Sequence, residues 1–198
     1  MTYESFLKPE QKNETYLKKT LAHYLYWRLH YRVVIDEYEW RDIFGIRNSN
    51  YSVEFEIKVD KSDFDREINS MYAPQPKTRW GKDWAKWEKH AMYLGKEIKK
   101  DNSFYENIYG HIEIKYFIPN EFYFYVPDYL SEHCLKRLEN LPYGLVKIGK
   151  TSHNHDISYF CSDYEVVKKA VKLHKDKVDA DLFSKLAYAL TVRSKLLN

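Results

Sequence analysis

Residues 51–59, Tyr-Ser-Val-Glu-Phe-Glu-Ile-Lys-Val, combine the pattern of a strand with charged side chains. Apolar residues at every second position from Val53 to Val59 alternate with polar ones, which predicts a β-strand with one face in a core. Glu56 and Lys58 are two positions apart, so they project side by side from the other face. A carboxylate beside an ammonium, on a strand otherwise suited to a core, suggests chemistry.

Asp42 is the third charged residue of interest, on a predicted strand over residues 40–46. If residues 47–50 make a hairpin turn, Asp42 comes within reach of Glu56, and two carboxylates converge with Lys58. Carboxylate oxygens are hard ligands that suit Mg²⁺ or Mn²⁺. Such an ion polarises a phosphate and lowers the pKa of the attacking water, while a lysine orients that water or offsets developing charge. The trio therefore predicts metal-dependent hydrolysis of a phosphodiester.

Asp42, followed after thirteen residues by Glu56-Ile57-Lys58, resembles the Asp…Glu-x-Lys signature of the PD-(D/E)XK nuclease superfamily. Five further segments resemble the landmarks of a small single-domain branch of that superfamily, in the same order: residues 59–64, 89–90, 118–127, 143–148 and 168–175. The resemblance spans roughly residues 12–195. It implies an α/β (α+β) fold with a restriction-endonuclease-like α-β-β-β-α-β core and a mixed central sheet, in one domain over residues 1–198.

The resemblance also implies roles for individual residues. Asp42, Glu56 and Lys58 are the expected catalytic residues, and the first two, with the Ile57 carbonyl, are expected to bind Mg²⁺ or Mn²⁺. Many members contribute a first-helix acid to the metal site, which makes Glu14 a further candidate ligand. Its alternative role is a favourable charge at a helix N-terminus.

Lys89 and His90 are secondary catalytic candidates on the same grounds. Following the resemblance, one of them reaches a phosphate near the metal. The alternative is a solvated helix cation beside a packed histidine.

Residues 69–84 are interpreted as an inserted loop because they contain two prolines and a glycine. The loop and the positions just after it interleave cations with indoles, at Lys77, Arg79, Trp80, Lys82, Trp84, Lys86 and Trp87. Cations with indoles favour phosphate contact and base stacking. These residues are predicted to bind nucleic acid, with DNA favoured over RNA, and the alternative is that the tryptophans pack the loop onto the domain.

The remaining elements follow from periodicity and turn residues. Asn13 is the predicted N-cap of a first helix that ends near His30 and carries leucines at positions 17, 21, 25 and 29. Strands are predicted near residues 32–38, 120–126 and 145–148, a helix over 85–100, and two extra C-terminal helices over 163–173 and 180–196.

Composition limits the classes of protein that fit. The chain has 198 residues, of which 44% are hydrophobic, and this suits one domain with a substantial core. A net charge of only +3 means that contact with nucleic acid must rely on local patches. No amino-terminal apolar run and no stretch of membrane-spanning length is present, so a cytoplasmic, intracellular protein is expected, in the host cytoplasm if phage-encoded.

A second class of function stays open on the sequence. A chain with this fold could have lost catalysis and serve as a nucleic-acid-binding or assembly protein of a phage or mobile element. The trio of Asp42, Glu56 and Lys58 favours the nuclease, since a purely structural protein needs no such combination.

Overall fold

The fold comes from a computed structural model that describes residues 13–38, 41–76, 82–96, 118–152, 161–184 and 186. The chain groups into two compact units. The first comprises Met1–Phe64 with Pro119–Asn198, and the second comprises Asp65–Ile118. The single domain expected over residues 1–198 stays a prediction.

One mixed sheet forms the centre of the first unit. Its strands are β1 (Val33–Tyr38), β2 (Arg41–Ile46), β3 (Ser52–Ile57), β4 (Glu121–Val126), β5 (Gly144–Ser152) and β6 (Cys161–Lys168). They lie side by side in chain order. The pairs β1–β2, β2–β3 and β5–β6 are antiparallel, and the pairs β3–β4 and β4–β5 are parallel. The chain is therefore a mixed α+β protein with a six-stranded mixed sheet, which confirms the predicted class.

The helices are α1 (Glu14–His23), α2 (Lys61–Tyr72), α3 (Lys82–Tyr93) and α4 (Asp128–Leu138). Asn13 begins α1 as predicted, because its side-chain oxygen accepts the N–H groups of Thr15 and Tyr16 at 2.9 and 3.4 Å. The helix continues directly into a π-helical segment, Tyr24–Arg28. No helix in the described part of the chain is long and apolar enough to cross a bilayer.

Leucines of α1 and of the π-helical segment build the core on one face of the sheet. Leu17, Leu21 and Leu25 are buried as predicted, whereas Leu29 is exposed. They pack in one cluster with alternate residues of the central strands, which include Val53, Phe55, Ile57, Tyr123 and Tyr125. Because strand side chains alternate, the intervening Glu54 and Glu56 project from the opposite face.

Aromatic rings fill the opposite face around Phe124. The rings of Phe64 and Phe122 each lie 5.1 Å from that of Phe124, and the ring of Tyr143 lies 6.2 Å away. Phe64 also contacts His133 of α4 at 6.1 Å between ring centroids, so α4 lies over this face.

The helix predicted over residues 163–173 is wrong. Residues 161–168 form β6, with Val166 opposite Val146 and Tyr164 opposite Ile148. The outer edge of β5 presents backbone N–H and C=O groups that need partners, and β6 supplies them. Two consecutive β-branched residues, Val166 and Val167, also favour a strand. Of the second predicted helix, residues 180–184 are helical, and those after 186 lie outside the described residues.

The helix predicted over residues 85–100 starts and ends earlier, at Lys82 and Tyr93. Gly95 ends it with a φ of 64°, and the N–H groups of Gly95 and Lys96 donate to the carbonyls of Met92 and Ala91 at 3.1 and 2.8 Å. This pattern is a Schellman motif, which glycine favours because it adopts positive φ without strain.

The loop predicted over residues 69–84 is shorter than expected. Residues 69–72 belong to α2 and residues 82–84 belong to α3, while residues 77–81 lie outside the described residues. Helices α2 and α4 were not predicted. The buried residues of α4, Leu130, Cys134 and Leu138, do recur every four residues, a spacing that favours a helix.

Candidate functional site

Glu56 and Lys58 form a buried ion pair at the end of β3. Lys58 Nζ lies 3.0 Å from Glu56 Oε1, and the two residues are only 3% and 6% exposed. Ile57 packs towards the leucines of α1, so Glu56 turns to the other face, where the Lys58 ammonium meets it. The Lys58 N–H donates to the Tyr125 carbonyl at 3.1 Å, which fixes the backbone at this point. The structure thus brings these two predicted residues together.

Asp63 is a second partner of Lys58, which sequence reasoning missed. Its Oδ2 lies 3.0 Å from Lys58 Nζ. Asp60 Oδ1 accepts the N–H groups of Ser62 and Asp63 at 2.7 and 3.1 Å, as an N-cap residue does. This cap starts α2 shortly after β3 and puts Asp63 in its first turn, next to the ammonium.

Asp42 is bound from two sides. Its Oδ2 accepts the Ile57 N–H at 2.7 Å, and its Oδ1 lies 3.1 Å from Lys18 Nζ. The first bond attaches the carboxylate to the peptide that joins Glu56 to Ile57. Asp42 stands one residue beyond the last matched pair of the β2–β3 ladder, Ile43 with Phe55.

Lys18 links Asp42 to the acid of the first helix. Lys18 Nζ lies 2.8 Å from Glu14 Oε1 and 3.3 Å from Glu37 Oε1. Burial lowers the pKa of Lys18, but the hydrogen bonds and negative charges of Glu14 and Asp42 outweigh it and raise that pKa above its ordinary value. The ammonium is therefore charged at neutral pH, and two of the predicted metal ligands share it.

Carboxylates outnumber lysines along these contacts. The five acids are Glu14, Glu37, Asp42, Glu56 and Asp63, and the two lysines are Lys18 and Lys58. They form two clusters, with Glu14, Glu37 and Asp42 around Lys18 and with Glu56 and Asp63 around Lys58. Carboxylate oxygens suit a hard divalent cation. Within the described residues, however, no three acidic, histidine or cysteine side chains form a group that could hold a metal ion. A cation at Asp42 has to compete with the Lys18 ammonium for the carboxylate.

Lys89 and His90, the secondary candidates, surround a buried acid in the second unit. Glu67 Oε1 lies 2.9 Å from His90 Nε2 and 3.8 Å from Lys89 Nζ, and Glu67 Oε2 lies 3.1 Å from Lys86 Nζ. Lys89 is buried, so the alternative of a solvated cation does not describe it. Lys89 and His90 follow Lys86 by three and four residues, so all three side chains lie on one side of α3.

Some of the predicted nucleic-acid contacts lie outside the described residues, and the others lie in α3. Lys77, Arg79 and Trp80 lie outside the described residues, and Lys82 begins α3. Trp84 is only 6% exposed and packs against Trp87 with the ring centroids 5.5 Å apart. Both indoles are hydrogen-bonded, Trp84 to Glu88 Oε2 and Trp87 to the Ala73 carbonyl, each at 3.1 Å. These two tryptophans therefore pack within the second unit, the alternative that the sequence left open.

Comparison with known proteins assigns no family. No family model matches the chain, and no curated protein matches it. The chain is similar to a solved protein of unknown function from Silicibacter pomeroyi, with 16% identity and a TM-score of 0.49. That similarity covers 91% of this chain and 88% of the other. The site is therefore interpreted from its own residues.

Four residues of these clusters were not predicted: Lys18, Glu37, Asp63 and Glu67. The sequence held a signal for two of them. Lys18 follows Glu14 by four residues, the spacing of a helical ion pair. Glu67 shares one helical stripe with Phe64, Ile68 and Met71, which are all buried. A buried acid needs hydrogen-bonding or cationic partners, and α3 supplies Lys86, Lys89 and His90.

Proposed function

We propose that this chain is a metal-dependent phosphodiester hydrolase, a deoxyribonuclease with a restriction-endonuclease-like PD-(D/E)XK core. The observation that carries the proposal is the buried Glu56–Lys58 pair, with the Asp42 carboxylate hydrogen-bonded to the adjacent Ile57 N–H. The order of a helix, three antiparallel strands, further helices and a parallel strand also agrees with the core that the resemblance implies.

Burial of such a pair needs a reason beyond stability. Removing two charges from water costs several kcal/mol per ion, and their attraction in the interior often only balances that cost. Charged groups held together in this way are common in functional sites, where they are aimed at a reacting group. Glu56 and Lys58 are charged groups of this kind, because they form a buried pair at the end of a strand whose alternate residues are apolar.

Asp42, Glu56 and the Ile57 carbonyl are the proposed ligands of Mg²⁺ or Mn²⁺, with Glu14 as a further ligand. When bound, the ion supplies Lewis acidity that polarises a phosphate and lowers the pKa of a water. Lys58 holds a positive charge close to Glu56, where it offsets negative charge that develops on the phosphate. Asp63 contacts the same ammonium and restrains its position.

Digestion assays on single- and double-stranded DNA and RNA, with and without Mg²⁺ or Mn²⁺, test this proposal. Lys58→Ala should lower the rate by about 10²-fold or more, because one pre-aimed charge is lost. Lys136→Ala, at an exposed lysine of α4, is the control and should cut normally. Circular dichroism checks that both variants are folded. If the wild-type protein cuts none of the substrates with either ion, the proposal is wrong.

A catalytically silent nucleic-acid-binding or assembly protein is the second candidate. The observation that favours it is that Asp42 and Glu56 are each bound by a lysine of the chain. A protein that binds DNA but leaves it intact in every metal tested would support this candidate.

A further inference from the structure

The π-helical segment after α1 exposes a pair of aromatic rings. Tyr26 and Trp27 are 51% and 62% exposed, and their ring centroids lie 5.1 Å apart in an edge-to-face arrangement. A π-helical turn is rare and is found often at functional sites. Two large rings held together in water are also an unusual surface for a protein, since indoles are normally mostly buried.

Tyr24 and Leu25, which precede these rings, pack the π-helical segment against the core. Leu25, in the π-helical segment, is buried in the core cluster with Leu17 and Leu21 of α1. The Tyr24 ring meets that of Tyr164 on β6 edge-to-face at 4.3 Å. With Tyr24 and Leu25 packed inward, the next two rings face solvent on a segment that is anchored to the core. This anchoring means that a partner can bind them without first ordering a loop.

The positive charge of residues 15–35 favours a negatively charged partner. Residues 15–35 contain four lysines and arginines and no aspartate or glutamate. Lys19 and Arg28 are exposed, and neither forms an ion pair with any residue that the structure describes. The His23 ring lies 6.2 Å from that of Trp27, and Lys19 is four residues before His23, so these three side chains follow one stripe of the helix.

Exposed aromatic faces beside exposed cations match a ligand with planar rings and negative charges. A single-stranded nucleic acid has both, because its bases are available for stacking and every phosphate is charged. In a duplex the base faces are stacked inside the helix, so they are not available to stack on these rings. We propose that Tyr26, Trp27 and Arg28, with Lys19 and His23, form a stacking platform for single-stranded nucleic acid.

This inference rests on the nucleic-acid substrate of the proposed function, but it does not depend on cleavage. The test is fluorescence anisotropy with a labelled oligothymidylate and a labelled duplex, in a metal-free buffer that prevents cutting. Trp27→Ala should weaken binding of the single strand by roughly 5- to 150-fold, the range measured for loss of one base–aromatic stack. Trp27→Phe should keep most of the affinity because a ring remains.

Two further variants separate base stacking from phosphate contact and from the loss of any exposed aromatic ring. Arg28→Gln should reduce the slope of log affinity against log salt by about one, as expected for one lost phosphate contact. Tyr72→Ala removes an aromatic ring that is equally exposed, from α2, and should leave the affinity unchanged. Circular dichroism should show the wild-type fold in all of these variants, since each changed side chain is exposed.

The outcomes distinguish this inference from the proposed function. If Trp27→Ala binds the single strand as tightly as the wild type, or if the wild type binds neither oligonucleotide, the platform is wrong. If the wild type cleaves nucleic acid and Trp27→Ala binds it as tightly as the wild type does, the platform is wrong but the proposed hydrolase is retained. Binding that depends on Trp27, without cleavage in any metal, would support the platform and overturn the hydrolase.

Discussion

Lys18 Nζ lies 3.1 Å from Asp42 Oδ1 and holds in place a carboxylate that the sequence marks as a metal ligand. The same ammonium lies 2.8 Å from Glu14 Oε1, the other candidate ligand on the first helix. A lysine of the chain therefore sits between two acids whose charge a divalent cation would also satisfy. Competition between ammonium and metal follows from this arrangement.

Removing Lys18 should strengthen metal binding. In Lys18→Gln, Asp42 and Glu14 lose their ammonium partner, and we expect Mn²⁺ affinity to rise by roughly tenfold or more, since a like charge a few ångströms from the ion is removed. Isothermal titration calorimetry measures this change. Lys19→Gln removes the same charge from the next, exposed position and is the control. Equal affinities of Lys18→Gln and wild type would show that Lys18 does not compete with the ion.

The Arg41–Glu54 pair should be important for stability. Arg41 Nε lies 2.8 Å from Glu54 Oε2, and both side chains are buried. Arg41→Met leaves a buried carboxylate without this cation and should lower the free energy of unfolding by about 3–5 kcal/mol. Urea denaturation followed by circular dichroism measures the loss.

The double variant of this pair tests the physical reason. Arg41→Met with Glu54→Met removes both charges and should be more stable than Arg41→Met alone. Lys136→Met, at an exposed lysine, should leave the urea midpoint unchanged. A double variant that is the least stable of the set would mean that the pair itself, and not the uncompensated charge, provides the stability.

Stability should fall in alkaline solution because of tyrosines that are buried or partly buried. Burial raises the pKa of the phenols of Tyr31, Tyr123, Tyr125 and Tyr164 above the ordinary value. Above about pH 10 the unfolded chain loses these protons while the folded chain keeps them. The unfolded state then binds fewer protons, so the free energy of unfolding decreases as the pH rises.

Thermal unfolding midpoints between about pH 8 and about pH 11 check this expectation. Tyr164→Phe should make the decrease shallower because one titrating phenol is removed. Tyr72→Phe changes an exposed tyrosine and should not alter the slope. A midpoint that stays constant across this range would contradict the prediction.

Arg79 and Lys82 should contribute to nucleic-acid binding if these two cations contact phosphates. Alanine at both positions should weaken binding and lower the salt slope by about two, because two phosphate contacts are lost. Fluorescence anisotropy at several salt concentrations provides the measurement. Alanine at Lys136 and Arg137, on the exposed side of α4, is the matched control. Unchanged affinity would show that these two cations do not contact phosphates.

Local interactions explain which elements the sequence predicted correctly. The alternation in β3, the Asn13 cap and the turn before β3, where Asn50 has a φ of 63°, all depend on residues within a few positions of one another. The same holds for the Glu56–Lys58 pair, since two residues on one strand share a face in any β-structure. These features needed no knowledge of the rest of the chain.

Features that depend on contacts between distant residues could not be predicted from the sequence. Residues 161–168 have a sequence compatible with a helix, and they form β6 because the open edge of β5 needs hydrogen-bond partners. In the same way, Glu67 meets His90 across 23 positions of the chain. The pairing of a buried acid is decided by which cation the fold brings near it.

The sequence by itself determined the mixed α+β class, the capped first helix, the hairpin and the side-by-side Glu56 and Lys58. Only the tertiary structure decided that Lys18 holds Asp42, that Asp63 restrains Lys58, and that Tyr26 and Trp27 face solvent. The physical reason is that the sequence fixes periodicity and charge, whereas burial and ion pairing depend on which segments the sheet and its helices bring into contact.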